Sequence, residues 1–142
     1  MKQIIVIILI LLGLSACVSV SPIEQSSGAN EATVHIYRSD QLQGSAVDTY
    51  VGYNNDYYVS LAPSEFTTLK VPTGIQTFKV RAHADLSNAV TLDIQAKSEV
   101  CLLVEVNPQN IIGLNWLVSG YNLRQVACTA YKNNPDYVAV KN

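Results

Sequence analysis

Phe78, Val80 and Ala82 alternate with Lys79, Arg81 and His83, and this period of two constrains the fold more than any other feature of the chain. Successive strand side chains point to opposite sides, so such a run buries one face and wets the other. The same texture recurs in Thr33-Val34-His35-Ile36-Tyr37-Arg38, where Val34 and Ile36 share one face and Thr33, His35 and Tyr37 the other. Val47 to Tyr53, Tyr57 to Leu61, Phe66 to Val71 and Val90-Leu92-Ile94 supply further short runs rich in strand formers. Turn chemistry separates them: polar Gln41–Ser45 around Gly44, Asn54-Asn55-Asp56, Pro63-Ser64-Glu65, Pro72-Thr73-Gly74 and Ser87-Asn88. Val100 to Val106 is apolar on both faces except at Glu105, which predicts a central strand covered on both sides. Tyr121 to Cys128 predicts the last main strand. No helical periodicity exceeds two turns, although Ile111 to Val118 reads as a short helix or an apolar loop. Seven or eight short strands with frequent turns predict an all-β, antiparallel β-sandwich over residues 32–128.

The first 17 residues carry a different pattern. Lys2 is the only charge before Glu24, and Ile4 to Leu12 is unbroken aliphatic sequence. A membrane span needs about 20 apolar residues and a signal h-region only about 7–15, so the length predicts a cleaved signal. Leu14-Ser15-Ala16-Cys17 resembles the lipobox of bacterial lipoproteins at all four positions. That resemblance implies removal of residues 1–16, a thioether-linked diacylglycerol on the Cys17 sulfur and, as a rule, a third acyl chain on the new amino group. Two or three chains hold a protein to a bilayer where one does not. The alternative is an ordinary secretory signal with Cys17 left free. Val18, rather than aspartate, follows Cys17. By resemblance to lipoproteins of enteric-type bacteria this implies the outer membrane, on its periplasmic face. Residues 17–31 read as the lipidated cysteine and a flexible, Ser-rich tether. Residues 129–142 read as a loose polar tail in which Tyr137 to Val140 can add an edge strand.

Charge and cysteine count narrow the partners. The formal charge of −2 moves to −3 once Lys2 is removed, and Arg38, Arg81 and Arg124 are the only arginines. This excludes the basic footprint that nucleic acid requires. There is no polybasic patch to supplement a lipid anchor. With Cys17 used for lipid, Cys101 and Cys128 remain as an even pair in an oxidising compartment, which predicts a disulfide. Two buried free thiols are the alternative. Two cysteines without nearby histidines give no four-ligand zinc set, so neither metal nor cofactor is expected.

Ala32-Thr33-Val34-His35-Ile36-Tyr37-Arg38, a tyrosine-rich hairpin and Val71-Pro72-Thr73-Gly74 together resemble a family of bacterial lipoproteins. Its domain is domain-of-unknown-function family 2846, similar to PEGA-type and carboxypeptidase-regulatory-like β-sandwiches. The resemblance spans Ala32 to Val126 and implies a fold and a location, with no catalytic residues. His35, where the family commonly has an aromatic residue, and the Cys101/Cys128 pair depart from the pattern.

Chemistry-bearing residues are sparse. His35 and His83 form an acid/base or metal pair only if their strands are neighbours. Asp40, Asp48, Asp56, Asp85 and Asp93 fall mostly at turns, where Asp is a turn former first. Neither a Gly-x-Ser-x-Gly elbow nor a phosphate-cradling glycine loop is present. The expectation is therefore a non-catalytic envelope module that binds or scaffolds. Tyr53, Tyr57, Tyr58 and Trp116 are the candidate contacts with a protein partner. An accessory lipoprotein of a secretion or surface assembly is the second reading, and a small hydrolase or metal-binding protein the third.

Overall fold

The computed structural model describes residues 18–22, 28, 30–41, 46–110 and 117–140. The expected leader 1–16, Cys17 and residues 111–116, Trp116 among them, lie outside the described residues. So do residues 42–45, the centre of the expected Gln41–Ser45 turn.

Among the described residues, nine strands form two packed sheets: β1 (Ala32–Arg38), β2 (Thr49–Tyr53), β3 (Asp56–Leu61), β4 (Glu65–Val71), β5 (Gly74–Arg81), β6 (Asn88–Ile94), β7 (Glu99–Val106), β8 (Tyr121–Val126) and β9 (Val138–Ala139). One sheet runs β8-β7-β1-β4-β9 and the other β3-β2-β5-β6. The alternation read from sequence sets what faces inward. Ala32, Val34 and Ile36 of β1 meet Leu69 and Val71 of β4, Leu102 and Val104 of β7, and Phe78 and Val80 of β5 in one core. Burying each large apolar side chain contributes about 1.5–3 kcal/mol, so this shared interior holds the sheets together.

The sandwich is as expected, but one of its sheets is mixed. β1 pairs antiparallel with β4 and parallel with β7, with Val34 opposite Val100 and Ile36 opposite Leu102. β1 and β7 are separated by five strands, so no tight turn dictates their direction. The β2–β3 hairpin turns on Asn54, whose φ of 52° is a left-handed conformation asparagine tolerates. Three turns, at Asn54-Asn55, Pro72-Thr73 and Gln95–Ser98, lie at the end where the chain enters β1. We call this the near end. The β1–β2, β3–β4, β5–β6 and β7–β8 connections lie at the opposite, far end.

Both flanking segments depart from the sequence reading. Within the expected tether, Val20 bridges Tyr57 in parallel, and the Ser21 N–H donates to the Tyr57 carbonyl at 2.7 Å. β3 is a sheet edge, and the chain itself fills part of it. The tail expected to be loose is an ordered strap, and it ends in an edge strand within the expected Tyr137 to Val140. From Cys128 it crosses the outer face of the five-stranded sheet, from the β8 side to the opposite edge, where Val138–Ala139 pairs parallel with β4. Its rings explain the order: Tyr131 and Tyr137 pack on Tyr37 at centroid distances of 5.3 and 5.2 Å. Phe66 stacks on the same ring at 5.1 Å. Cys101 and Leu103, on the outer side of β7, are buried beneath this cluster. The strap is therefore what covers the second face of the two-sided apolar strand.

Candidate functional site

Cys101 and Cys128 are joined by a disulfide with a Cα–Cα distance of 5.2 Å. Cys101 pairs with Val126 in the β7–β8 ladder, so the bridge closes the near end of that ladder and starts the strap. Of the apolar Ile111–Val118 stretch only Leu117 and Val118 are described, and they precede Tyr121 at the far end of the ladder.

The tyrosines divide by face. A bulge between Val51 and Gly52 shifts the β2–β3 register, and this turns Tyr58 toward Tyr53. Their rings lie 5.0 Å apart, and Tyr53 lies 6.0 Å from Phe78, so both pack against the core. Tyr57 points outward. β2 presents Gly52 beside it, where a Cβ would collide with the Asp56 carbonyl oxygen and Tyr57 Cα. With that position bare, the Tyr57 side chain reaches across the sheet. Lys79 Nζ sits 4.4 Å from its ring centroid, and its hydroxyl donates to Ser87 Oγ at 3.1 Å. Burial lowers the Lys79 pKa from its ordinary value, Asp56 opposes this and Arg81 adds to it.

The two histidines do not meet. His35 is on the outer face of the five-stranded sheet. Its Nδ1 is 2.9 Å from Thr68 Oγ1 and its Nε2 2.9 Å from Glu99 Oε1. Lys132 of the strap donates to the same carboxylate at 2.9 Å. These two hydrogen bonds, Lys132 first, hold Glu99 below the usual carboxylate range. His83 follows β5 on the other sheet, where its Nε2 shares a 2.5 Å hydrogen bond with Tyr50 Oη. Among the described residues no group of three or more His, Cys, Asp or Glu is placed to hold a metal ion.

Sequence reasoning missed two buried charges. Arg38 is 3% exposed at the far end of the core, donating to the Leu61 carbonyl at 2.6 Å, with its guanidinium carbon 5.3 Å from the Tyr121 ring centroid. Burial lowers its pKa, and Tyr121, Asp48 and Glu65 pull it back up. The signal was its parity, since it shares a face with Ala32, Val34 and Ile36. Asp85 accepts from the Gly120 N–H through both oxygens at 3.0 Å, tying the β5–β6 connection to the start of β8. Burial raises its pKa, against backbone hydrogen bonds from Gly120, Ala82 and Leu86. Both charges brace the far end, and Arg38 also lines a small cleft with Ser39, Gln41, Glu105 and Tyr121. An open groove of about 470 Å³ lies between the strap and the far-end turns, lined by Ser39, Asp40, Ser64, Asn134, Asp136 and Tyr137. It offers hydroxyls and carboxylates with no histidine, lysine or cysteine beside them. No family model matches the chain, and neither a curated protein nor a solved structure matches it.

Proposed function

We propose that this chain is a lipid-anchored, non-catalytic lipoprotein of the cell envelope whose β-sandwich acts as a binding or scaffold module. One observation carries the reading. Three cysteines resolve into a bridged pair, Cys101–Cys128, and one left over at the acylation position of a Leu-Ser-Ala-Cys sequence. A structural disulfide belongs to an oxidising compartment, and the lipobox-like leader supplies the route there. Val18, rather than aspartate, after Cys17 supports an outer-membrane position for the module. It is read as akin to domain-of-unknown-function family 2846 on its first strand and its Pro72-Thr73-Gly74 turn. The separation of His35 from His83 on two outer faces supports a non-catalytic role.

A second reading, contact with a partner protein of the envelope, is favoured by the far end. Val47, Leu86, Leu117 and Val118 are exposed there on three connections. One experiment addresses both readings: crosslinking of the native protein in its own membranes, with Cys17→Ser as the control. The proposal expects acylated, membrane-bound protein, and a soluble control that loses the crosslinks. A native protein that takes up no labelled fatty acid and fractionates like the control contradicts it.

A further inference from the structure

We propose that residues 18–21 seat the domain directly on the phospholipid surface, near end down, instead of suspending it on a tether. The inference rests on the lipid anchor at Cys17. Val20 pairs with Tyr57, the second residue of β3, and the pairing is parallel. Going back along the chain from Val20 therefore leads past the start of β3, toward the Asn54-Asn55 turn and out of the near end. Two hydrogen bonds fix this path: Ser21 N–H to the Tyr57 carbonyl at 2.7 Å, and Ser21 Oγ to Asp56 Oδ1 at 3.0 Å.

The geometry sets the distance. Residue 17 is three residues from Val20, a reach of at most about 11 Å at 3.6 Å per residue. An undocked tether running to Glu31 would extend to about 50 Å by the same measure. Docking at Val20 thus removes most of the leash. The near end also presents a surface suited to a bilayer interface. Ile75, at 77% the most exposed of the large apolar side chains described, stands at the start of β5 beside the Pro72-Thr73 turn. Lys97 is exposed in the neighbouring Gln95–Ser98 turn, where its ammonium can meet lipid phosphate. The exposed far-end residues then point away from the membrane. The eight residues of β7 separate the two ends by about 25 Å.

Paramagnetic relaxation in vesicles tests this. The full lipidated protein carries a spin label at Thr73→Cys (near end) or Leu86→Cys (far end). It is reconstituted in phosphatidylethanolamine and phosphatidylglycerol vesicles doped with a nickel-chelating lipid. The expected result is several-fold stronger relaxation at position 73 than at 86. Adding Ser21→Pro, which deletes the N–H donor at an exposed edge, brings position 73 down to the position 86 value. Equal relaxation at the two positions in the parent overturns the seating, as does a ratio that Ser21→Pro leaves unchanged. Fatty-acid content of the same samples separates the failures. Acylated protein with equal relaxation sinks the seating alone, whereas unacylated protein sinks the anchor and the seating together.

Discussion

Removing the Cys101–Cys128 bridge distinguishes two jobs it could do, clipping the strap or restricting the unfolded chain. The perturbation is the double variant Cys101→Ala/Cys128→Ala in a soluble form lacking residues 1–17. In the chain-entropy model, a loop spanning the observed separation of 27 residues contributes about 3.5 kcal/mol. Unfolding entropy of about 2.1 cal/mol/K per residue over some 110 residues converts this to a fall in Tm of about 15 °C. The effect on the strap is far smaller. Ten positions separate Cys128 from Val138, and without the bridge the strap is held from Val126, twelve positions away. Closing the longer loop costs only about 0.2 kcal/mol more. Hydrogen exchange resolves the two effects. The Val138 and Val140 N–H groups, bonded to the carbonyls of Ser64 and Phe66, should keep their local protection. Core amides of β1 that exchange only by global unfolding should lose about 3.5 kcal/mol of theirs. The reasoning is refuted by a Tm within about 3 °C of the parent, or by protection lost mainly in β9.

Three further outcomes follow from the packing. Gly52→Ala drives a Cβ into the backbone of Asp56 and Tyr57, and should cost at least about 2 kcal/mol by urea denaturation. Thr67 is 2% exposed and its hydroxyl has no hydrogen-bond partner among the described residues. Thr67→Val removes that buried group at equal volume and should raise stability by up to about 1 kcal/mol, read by the same assay. Asp85 has a raised folded pKa, so the folded state holds its proton more tightly than the unfolded chain. Its ionisation therefore works against folding as pH rises above the ordinary carboxylate value through the raised one. The parent should lose stability relative to Asp85→Asn between pH 4 and pH 7, and a difference that grows in the opposite direction overturns this assignment.

Much of the sandwich was legible because its cause is local. Phe78, Val80 and Ala82 declare their inward face by spacing, and Pro72-Thr73-Gly74 declares the turn before them. β7 declared cover on both faces through Cys101 and Leu103. What covers it was not legible, since Tyr131 and Tyr137 are separated by polar residues without a period and reach Tyr37 only after the strap crosses a whole sheet. The parallel β1–β7 pairing is equally non-local. Period two puts Tyr53 on the inward face with Val51, but it sets Tyr58 on the face opposite Val59, and the bulge at Gly52 turns Tyr58 inward. Arg38 was hidden by its residue type despite its inward parity. The cysteine pair was legible by counting, because the lipidation expected at Cys17 leaves two. Val20 and Ser21 were read as tether because a two-residue pairing with β3 has no signature of its own in the sequence.

The central claim is the lipid on Cys17, and the intact mass of the protein extracted from native membranes tests it most directly. The account predicts a chain beginning at Cys17, heavier than its sequence by a diacylglycerol and an amide-linked acyl group, with Cys101 and Cys128 still bridged. A chain carrying no acyl mass, whether cleaved elsewhere or retaining residue 1, contradicts it.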